Sequence, residues 1–318
     1  KKHKGRKQLI ASVTGCSNVT GIETPYHEIA KKMHKVGGLC FVDFACSGPY
    51  VEIDMHPNND PNASLDAIFF SPHKFLGGPG TPGVLIFNKK LYQNRVPDGP
   101  GGGTVTFTNP WGVHYYIEDI ETREDGGTPG FLQTIKAALC IKLKEEMGVE
   151  NIRNREHEIV AKIFKTFDQI DGLKVMAGNV KDRLGVISYN IEGLHYNLGV
   201  KLLNDYFGIQ TRGGCACAGT YGHFLLEIDE IHSVELMHNL KNGGNVLRPG
   251  WIRMSIHPTM TDKEVDFLCE ATKLLAENWK NWSEDYVYDP NTNEFAHKTF
   301  KGEESETISN WFLKSLSN

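Results

Sequence analysis

No apolar stretch in this chain is long enough to cross a bilayer, and no secretory signal pattern opens it, so no membrane partner is expected. Low-complexity tracts and internal repeats are missing as well. The chain also lacks the basic excess that a nucleic-acid partner favours: 34 Lys and Arg stand against 39 Asp and Glu, a formal net charge of -5. Its one basic run, Lys1-Lys2-His3-Lys4-Gly5-Arg6-Lys7, reads as a solvated loop or ragged terminus. The seven cysteines are odd in number, and Cys40, Cys140 and Cys269 lie in apolar runs. That pattern argues against a disulfide framework, and a reducing, cytoplasmic compartment is expected. Lysine rather than methionine stands first, as in a processed, truncated or partly recorded chain.

What is present suffices for a sizeable core. With 318 residues and 40% hydrophobic content, two domains are expected. Gln8 to Val13 reads as a strand, a helix follows from Pro25 to about Val36, and Leu39 to Asp43 reads as the next strand. This βαβ order with continuous apolar strands suits a mostly parallel sheet covered on both faces. Asp66 to Phe70 and Val84 to Phe87 are further strands, joined too tightly for a helical crossover and hence antiparallel. Helical spacing runs over 131–147, on Leu132, Ile135, Ala138, Leu139 and Leu143, and again over 151–170. Strands at 173–176, 186–191, 209–211 and 251–256, with helices near 197–207 and 262–280, complete a smaller α/β domain. The expected division is 1–150, 151–282 and a C-terminal arm, 283–318, with a hairpin around Tyr286 to Asn291.

The segment from Ser71 to Gly80 lies between two apolar strands and carries Ser71, His73 and Lys74 before a glycine-proline turn. A lysine that can form an imine, beside a hydroxyl and an imidazole that can bind phosphate, is what pyridoxal phosphate requires. By itself the lysine reads equally well as an ordinary loop residue. Asp43 ends an apolar strand, where open α/β sheets bind ligands; it can pair with a pyridinium nitrogen or cap a turn. Cys215 and Cys217 sit in the small-residue loop Arg212-Gly213-Gly214-Cys215-Ala216-Cys217. Such a loop gives a nucleophilic thiol access and mobility; the rivals are two packing cysteines or half a zinc site with His223, for which the spacing is poor. Arg253, on an apolar strand, needs an anion, either an internal partner or a substrate carboxylate. Thr128 precedes a long helix, and Gly101-Gly102-Gly103-Thr104 is a second flexible turn that could approach a phosphate.

In order and spacing, Ser17-Asn18-Val19-Thr20-Gly21, Val42-Asp43, Ser71-x-His73-Lys74, Gly126-Gly127-Thr128-Pro129, the loop from Arg212 to Cys217, and Arg253 resemble one family. It is the class V aminotransferase family of fold-type I pyridoxal-phosphate enzymes, in its cysteine desulfurase and selenocysteine lyase branch. The loop also looks like that of molybdenum-cofactor sulfurases. The resemblance runs from about Gln8 to Lys280. It implies that Lys74 binds the cofactor's aldehyde, that Ser71 and His73 hold its phosphate, and that Asp43 pairs with the ring nitrogen. It further implies that Asn18 lies near the phenolic oxygen and that Arg253, with Arg212 close by, binds the carboxylate of a small amino acid. Thr128 would serve the phosphate of a neighbouring subunit, hence a homodimer. Cys217, with Cys215 beside it, would carry sulfur to an acceptor.

Two departures from the family pattern stand out. Cys46 occupies the place of a glutamine that contacts the phenolic oxygen, and a thiol donates more weakly. The family's N-terminal phosphate-binding turn and ring-stacking residue have no counterpart here, so a partial large domain is expected. The expected activity is cysteine desulfurase-like. Transamination, epimerisation or lyase chemistry with structural cysteines is the first alternative, and a non-catalytic scaffold is the second.

Overall fold

The structure, a computed structural model, describes residues 5–57, 60–241, 248–300 and 308–311. The chain divides into two compact units, Lys1–Ser17 with Glu23–Asn154 and Asn18–Ile22 with Arg155–Asn318.

In the first unit, β1 (Ile10–Thr14), α1 (Tyr26–His34) and β2 (Leu39–Asp43) form the βαβ element, with β1 parallel to β2. Pro25 (φ -76°) leads into α1, whose last turn carries Lys31, Lys32 and His34 and so complements the helix dipole. β3 (Ala67–Phe70) pairs parallel to β2, and β4 (Val84–Phe87) antiparallel to β3, giving the order β1-β2-β3-β4. Val42, Phe44, Leu65 and Ile68 are the buried centre of this sheet. β4 is less covered than its apolar sequence suggests: it is an edge strand on which Leu85 and Ile86 stay exposed. A short hairpin, β5 (Val105–Thr108) and β6 (His114–Tyr116), and a single helical turn, α2 (Ile120–Glu124), follow. Three- and four-residue strands between glycine runs leave too little alternation to be seen in sequence. α3 (Phe131–Met147) forms where its periodicity places it, but the large apolar residues do not face inward. It rests on Ala137 and Cys140, while Phe131, Leu132, Ile135 and Leu139 are exposed.

α4 (Val149–Phe167) carries the chain into the second unit. There β7 (Leu173–Val175), β8 (Val186–Ile191), α5 (Tyr196–Phe207) and β9 (Arg212–Gly214) are followed by two helices, α6 (Gly219–Leu225) and α7 (Glu230–Lys241). β10 (Trp251–Ser255), α8 (Asp262–Ser283), β11 (Tyr286–Asp289) and β12 (Glu294–His297) complete it. The antiparallel sheet runs β7-β8-β10-β9, and Ile159, Ile163, Ile187, Tyr189, Leu202 and Val265 share its core cluster. α8 starts with a reciprocal capping box between Thr261 and Glu264. The strand expected at 209–211 is displaced, because Gly208 turns in the left-handed region and the Ile209 N–H closes on Leu203. Pairing therefore begins at Arg212. Beyond α8 the β11–β12 hairpin places Tyr286 in the same core cluster and buries Asn293.

Candidate functional site

The residues singled out in the sequence fall into two groups, one in each unit. In the first unit they gather at the carboxyl edge of the parallel strands. Asp43 is the last residue of β2 and pairs with Phe69 on β3; Ser71 follows two residues later. Ser71 opens a 3₁₀ turn, Pro72–Lys74, closed by the Lys74 N–H on the Ser71 carbonyl at 3.0 Å. Phe75 is buried and anchors the turn, whereas His73 and Lys74 are exposed upon it. Thus Lys74 is not enclosed by two core strands as its flanks suggest. The turn is narrow: a Cβ on Gly78 would meet the Pro72 carbonyl oxygen at 1.9 Å, so only glycine fits.

Asp43 is half-buried, and its Oδ1 accepts the Ala45 N–H at 2.7 Å, which aligns the carboxylate at the start of the next turn. That turn carries Cys46, also half-buried, and the fully buried Ser47. Lys144 on α3 fastens it. The Lys144 Nζ donates to the Gly48 carbonyl at 2.7 Å and to the Val51 carbonyl at 2.5 Å, and lies 5.8 Å from the centre of the Phe75 ring. Burial pushes this ammonium down to about 8 against the opposing pull of Glu145 and Glu52. One lysine therefore braces both the Asp43–Val51 turn and the residue after Lys74. In sequence Lys144 stands in the charged run Lys142-Leu143-Lys144-Glu145-Glu146, which reads as a solvated helix face.

Thr128 is exposed ahead of α3, and Gly130, not Thr128, caps that helix. The glycine run at 101–104 has a structural role. Thr104 is fully buried and spends its hydroxyl on Gly101, and the Gly127 N–H bonds the Gly102 carbonyl.

In the second unit five candidates form one connected network. Arg253 on β10 is the register partner of Arg212 on β9. The Arg253 Nη1 donates to the Asn18 carbonyl at 3.3 Å, and the Asn18 Nδ2 donates to the Ala216 carbonyl at 2.8 Å. Arg212 Nη2 donates to the Cys217 Sγ at 3.4 Å. Cys217 is exposed; Cys215 is half-buried and its Sγ donates to the Pro249 carbonyl at 2.9 Å. Burial raises the Cys215 thiol above its ordinary value. Ala216 and Cys217 have φ of 51° and 62°, and the Ala218 N–H closes on the Cys215 carbonyl at 3.0 Å. Together they make a tight left-handed turn that non-glycine residues adopt only when held. The fully buried Trp251, which the sequence did not mark, packs beneath Ala216.

His223 is turned to other work: its two ring nitrogens face the Gly219 carbonyl at 2.7 Å and the Ser233 hydroxyl at 2.9 Å. Among the described residues no group of three or more His, Cys, Asp or Glu could hold a metal.

The family model described as Aminotransferase class-V matches residues 2–268. A probable cysteine desulfurase of Halalkalibacterium halodurans is 29% identical over 212 residues, covering 67% of this chain and 50% of that protein. One from Staphylococcus epidermidis is 32% identical over 214 residues, covering 67% and 49%. Among solved structures, the apo cysteine desulfurase of Thermococcus onnurineus NA1 superposes with a TM-score of 0.67 at 25% identity, covering 85% of this chain and 60% of that one. The chain thus spans about half the length of the curated relatives it matches.

Proposed function

We propose that this chain, which belongs to the class V aminotransferase family, works as a pyridoxal-phosphate-dependent, cysteine desulfurase-like sulfur transferase. The carrying observation is the exposed Cys217 thiol, set on a braced turn with the Arg212 guanidinium 3.4 Å from its sulfur. The guanidinium donates to this sulfur and so holds it in place on the turn. Relatives described as probable cysteine desulfurases support the same reading.

The donor set of the first unit fits the cofactor. Ser71 and His73 offer a hydroxyl and an imidazole for the phosphate, and the exposed Lys74 amine is free to take the aldehyde. Asp43, with one oxygen aligned by Ala45, offers a carboxylate for the ring nitrogen, and Cys46 stands on the following turn. Bound pyridoxal phosphate supplies the electron sink that labilises bonds at an amino acid's α-carbon. Lys74 Nζ then moves the proton at that carbon. Arg253 holds the substrate carboxylate, Arg212 orients Cys217 through its hydrogen bond to the sulfur, and Cys217 Sγ takes the sulfur for delivery to an acceptor. Asn18, whose amide holds Ala216, positions the thiol turn.

A homodimer belongs to the same reading. Thr128 is exposed before α3, whose Phe131, Leu132, Ile135 and Leu139 are also exposed. A second copy covering that face would bring Thr128 to a neighbour's phosphate. A cytoplasmic location accords with seven free thiols and with the lack of any described helix long and apolar enough to cross a membrane.

Cysteine added to the cofactor-loaded protein should yield alanine and, with a thiol reductant, sulfide in equal amounts. Full alanine formation by Cys217→Ala would instead leave the cysteines structural.

A further inference from the structure

The sulfur-transfer reading uses one thiol, yet the turn holds two. We propose that Cys215 is the resolving partner of Cys217: it attacks a sulfur-loaded Cys217, expels the terminal sulfur as sulfide and closes a Cys215–Cys217 disulfide. This rests on the reading of Cys217 as the sulfur-accepting thiol.

Geometry is the first support. An extended Cys-x-Cys segment holds its Cα atoms roughly 7 Å apart, at the outer limit for a disulfide. The left-handed φ of Ala216 folds the segment. By the mirror image of helical geometry the span falls to about 5.4 Å, inside the usual disulfide range. The fold is maintained by three hydrogen bonds, from Asn18 Nδ2 to Ala216, from Ala218 N–H to Cys215, and from Cys215 Sγ to Pro249. In this state the sulfurs face different partners, Pro249 and Arg212. Rotation of the exposed Cys217 side chain toward the anchored Cys215 is the motion that closure needs.

Chemistry is the second support. The pair is asymmetric: an exposed thiol beside a guanidinium, and a half-buried one hydrogen-bonded to a carbonyl and raised by burial. The first is suited to accept sulfur and the second to follow it. In the step, the bond between Cys217 Sγ and the terminal sulfur breaks and the bond between Cys215 Sγ and Cys217 Sγ forms. The terminal sulfur leaves with the electron pair and the Cys215 proton as hydrogen sulfide. The Cys215 sulfur is oxidised to the disulfide level as the terminal sulfur is reduced from the persulfide to the sulfide level, so no outside oxidant is needed. A thiol reductant reopens the pair, and a ring across one intervening residue is of the strained, exposed kind that reduces readily.

The test loads the whole chain with inorganic polysulfide, without cofactor or amino acid, and follows the peptide carrying both cysteines by mass. The expected result is loss of two hydrogens' mass from that peptide, matched by sulfide release. In Cys215→Ser, which keeps a hydroxyl for the Pro249 carbonyl, the added sulfur should persist on Cys217 roughly tenfold longer or more. Equal persistence in both proteins, with no disulfide, overturns the proposal. Should the cofactor-loaded protein still make alanine from cysteine, only the resolving role falls. A disulfide formed under polysulfide in a protein that makes no alanine leaves the pair standing and removes the desulfurase reading.

Discussion

The lysine turn of the first unit and the thiol turn of the second solve the same problem in different ways. On the proposed reading both present a reactive side chain to solvent while keeping its backbone still. The Lys74 turn does so by burial and close contact. Phe75 is sunk into the core, Gly78 passes the Pro72 carbonyl with no room for a Cβ, and Lys144 pins the neighbouring backbone. The thiol turn has no such packing around Cys217. It is tethered by single hydrogen bonds from Asn18, Cys215 and the Ala218 N–H and supported from below by Trp251. A packed turn suits a residue that carries a cofactor through every cycle. A tethered one suits a sulfur carrier that must swing.

Breaking the packed side should cost the most. Lys74→Ala is expected to lower alanine formation by roughly 10²–10⁴-fold, the range for a lost acid-base group, and to abolish borohydride-fixed pyridoxyl mass on the chain. If that mass persisted on another residue, Lys74 would lose its role. Next comes Arg253, proposed to hold the substrate carboxylate. Arg253→Lys keeps the charge but loses the planar fork, so KM for cysteine should rise by roughly 10-fold or more with kcat less affected. An unchanged KM would reassign Arg253 to holding the Asn18 carbonyl.

Lys144→Met sharpens the comparison through stability. Leaving the Gly48 and Val51 carbonyls without their donor should cost about 1–3 kcal/mol in denaturant unfolding. Its pH dependence has a definite sign. The folded lysine titrates near 8 rather than 10.5, so the unfolded chain holds more protons between those values. Stability contributed at this site therefore rises with pH across that window, and the gap between the native protein and Lys144→Met should widen there. A gap independent of pH would mean that the buried ammonium is not destabilised as described. Asn18→Ala should have the smallest effect on stability, about 1 kcal/mol, because it removes one tether. It should nonetheless speed alkylation of Cys217; an unaltered rate would show that the turn does not need Asn18.

Periodicity and strand order made the βαβ element, the tight β3–β4 pair and the helix over 131–147 legible in the sequence. So were most residues of both turns, because short motifs name them directly. Three things were not. The exposed face of α3 reads in sequence as a core stripe, since spacing tells that a helix is amphipathic but not which neighbour covers it. β9 starts later than expected because Gly208 ends α5 with a left-handed turn that takes up Ile209. Lys144 and Trp251 brace the two turns through contacts between residues far apart in the chain, for which one sequence carries no signal.

The most direct measurement is to give cysteine labelled in its sulfur to cofactor-loaded Cys215→Ser protein, and to count alanine and labelled Cys217 peptide together. One label on Cys217 for each first-turnover alanine is the predicted result. Alanine without label on Cys217, or no alanine at all, would contradict it.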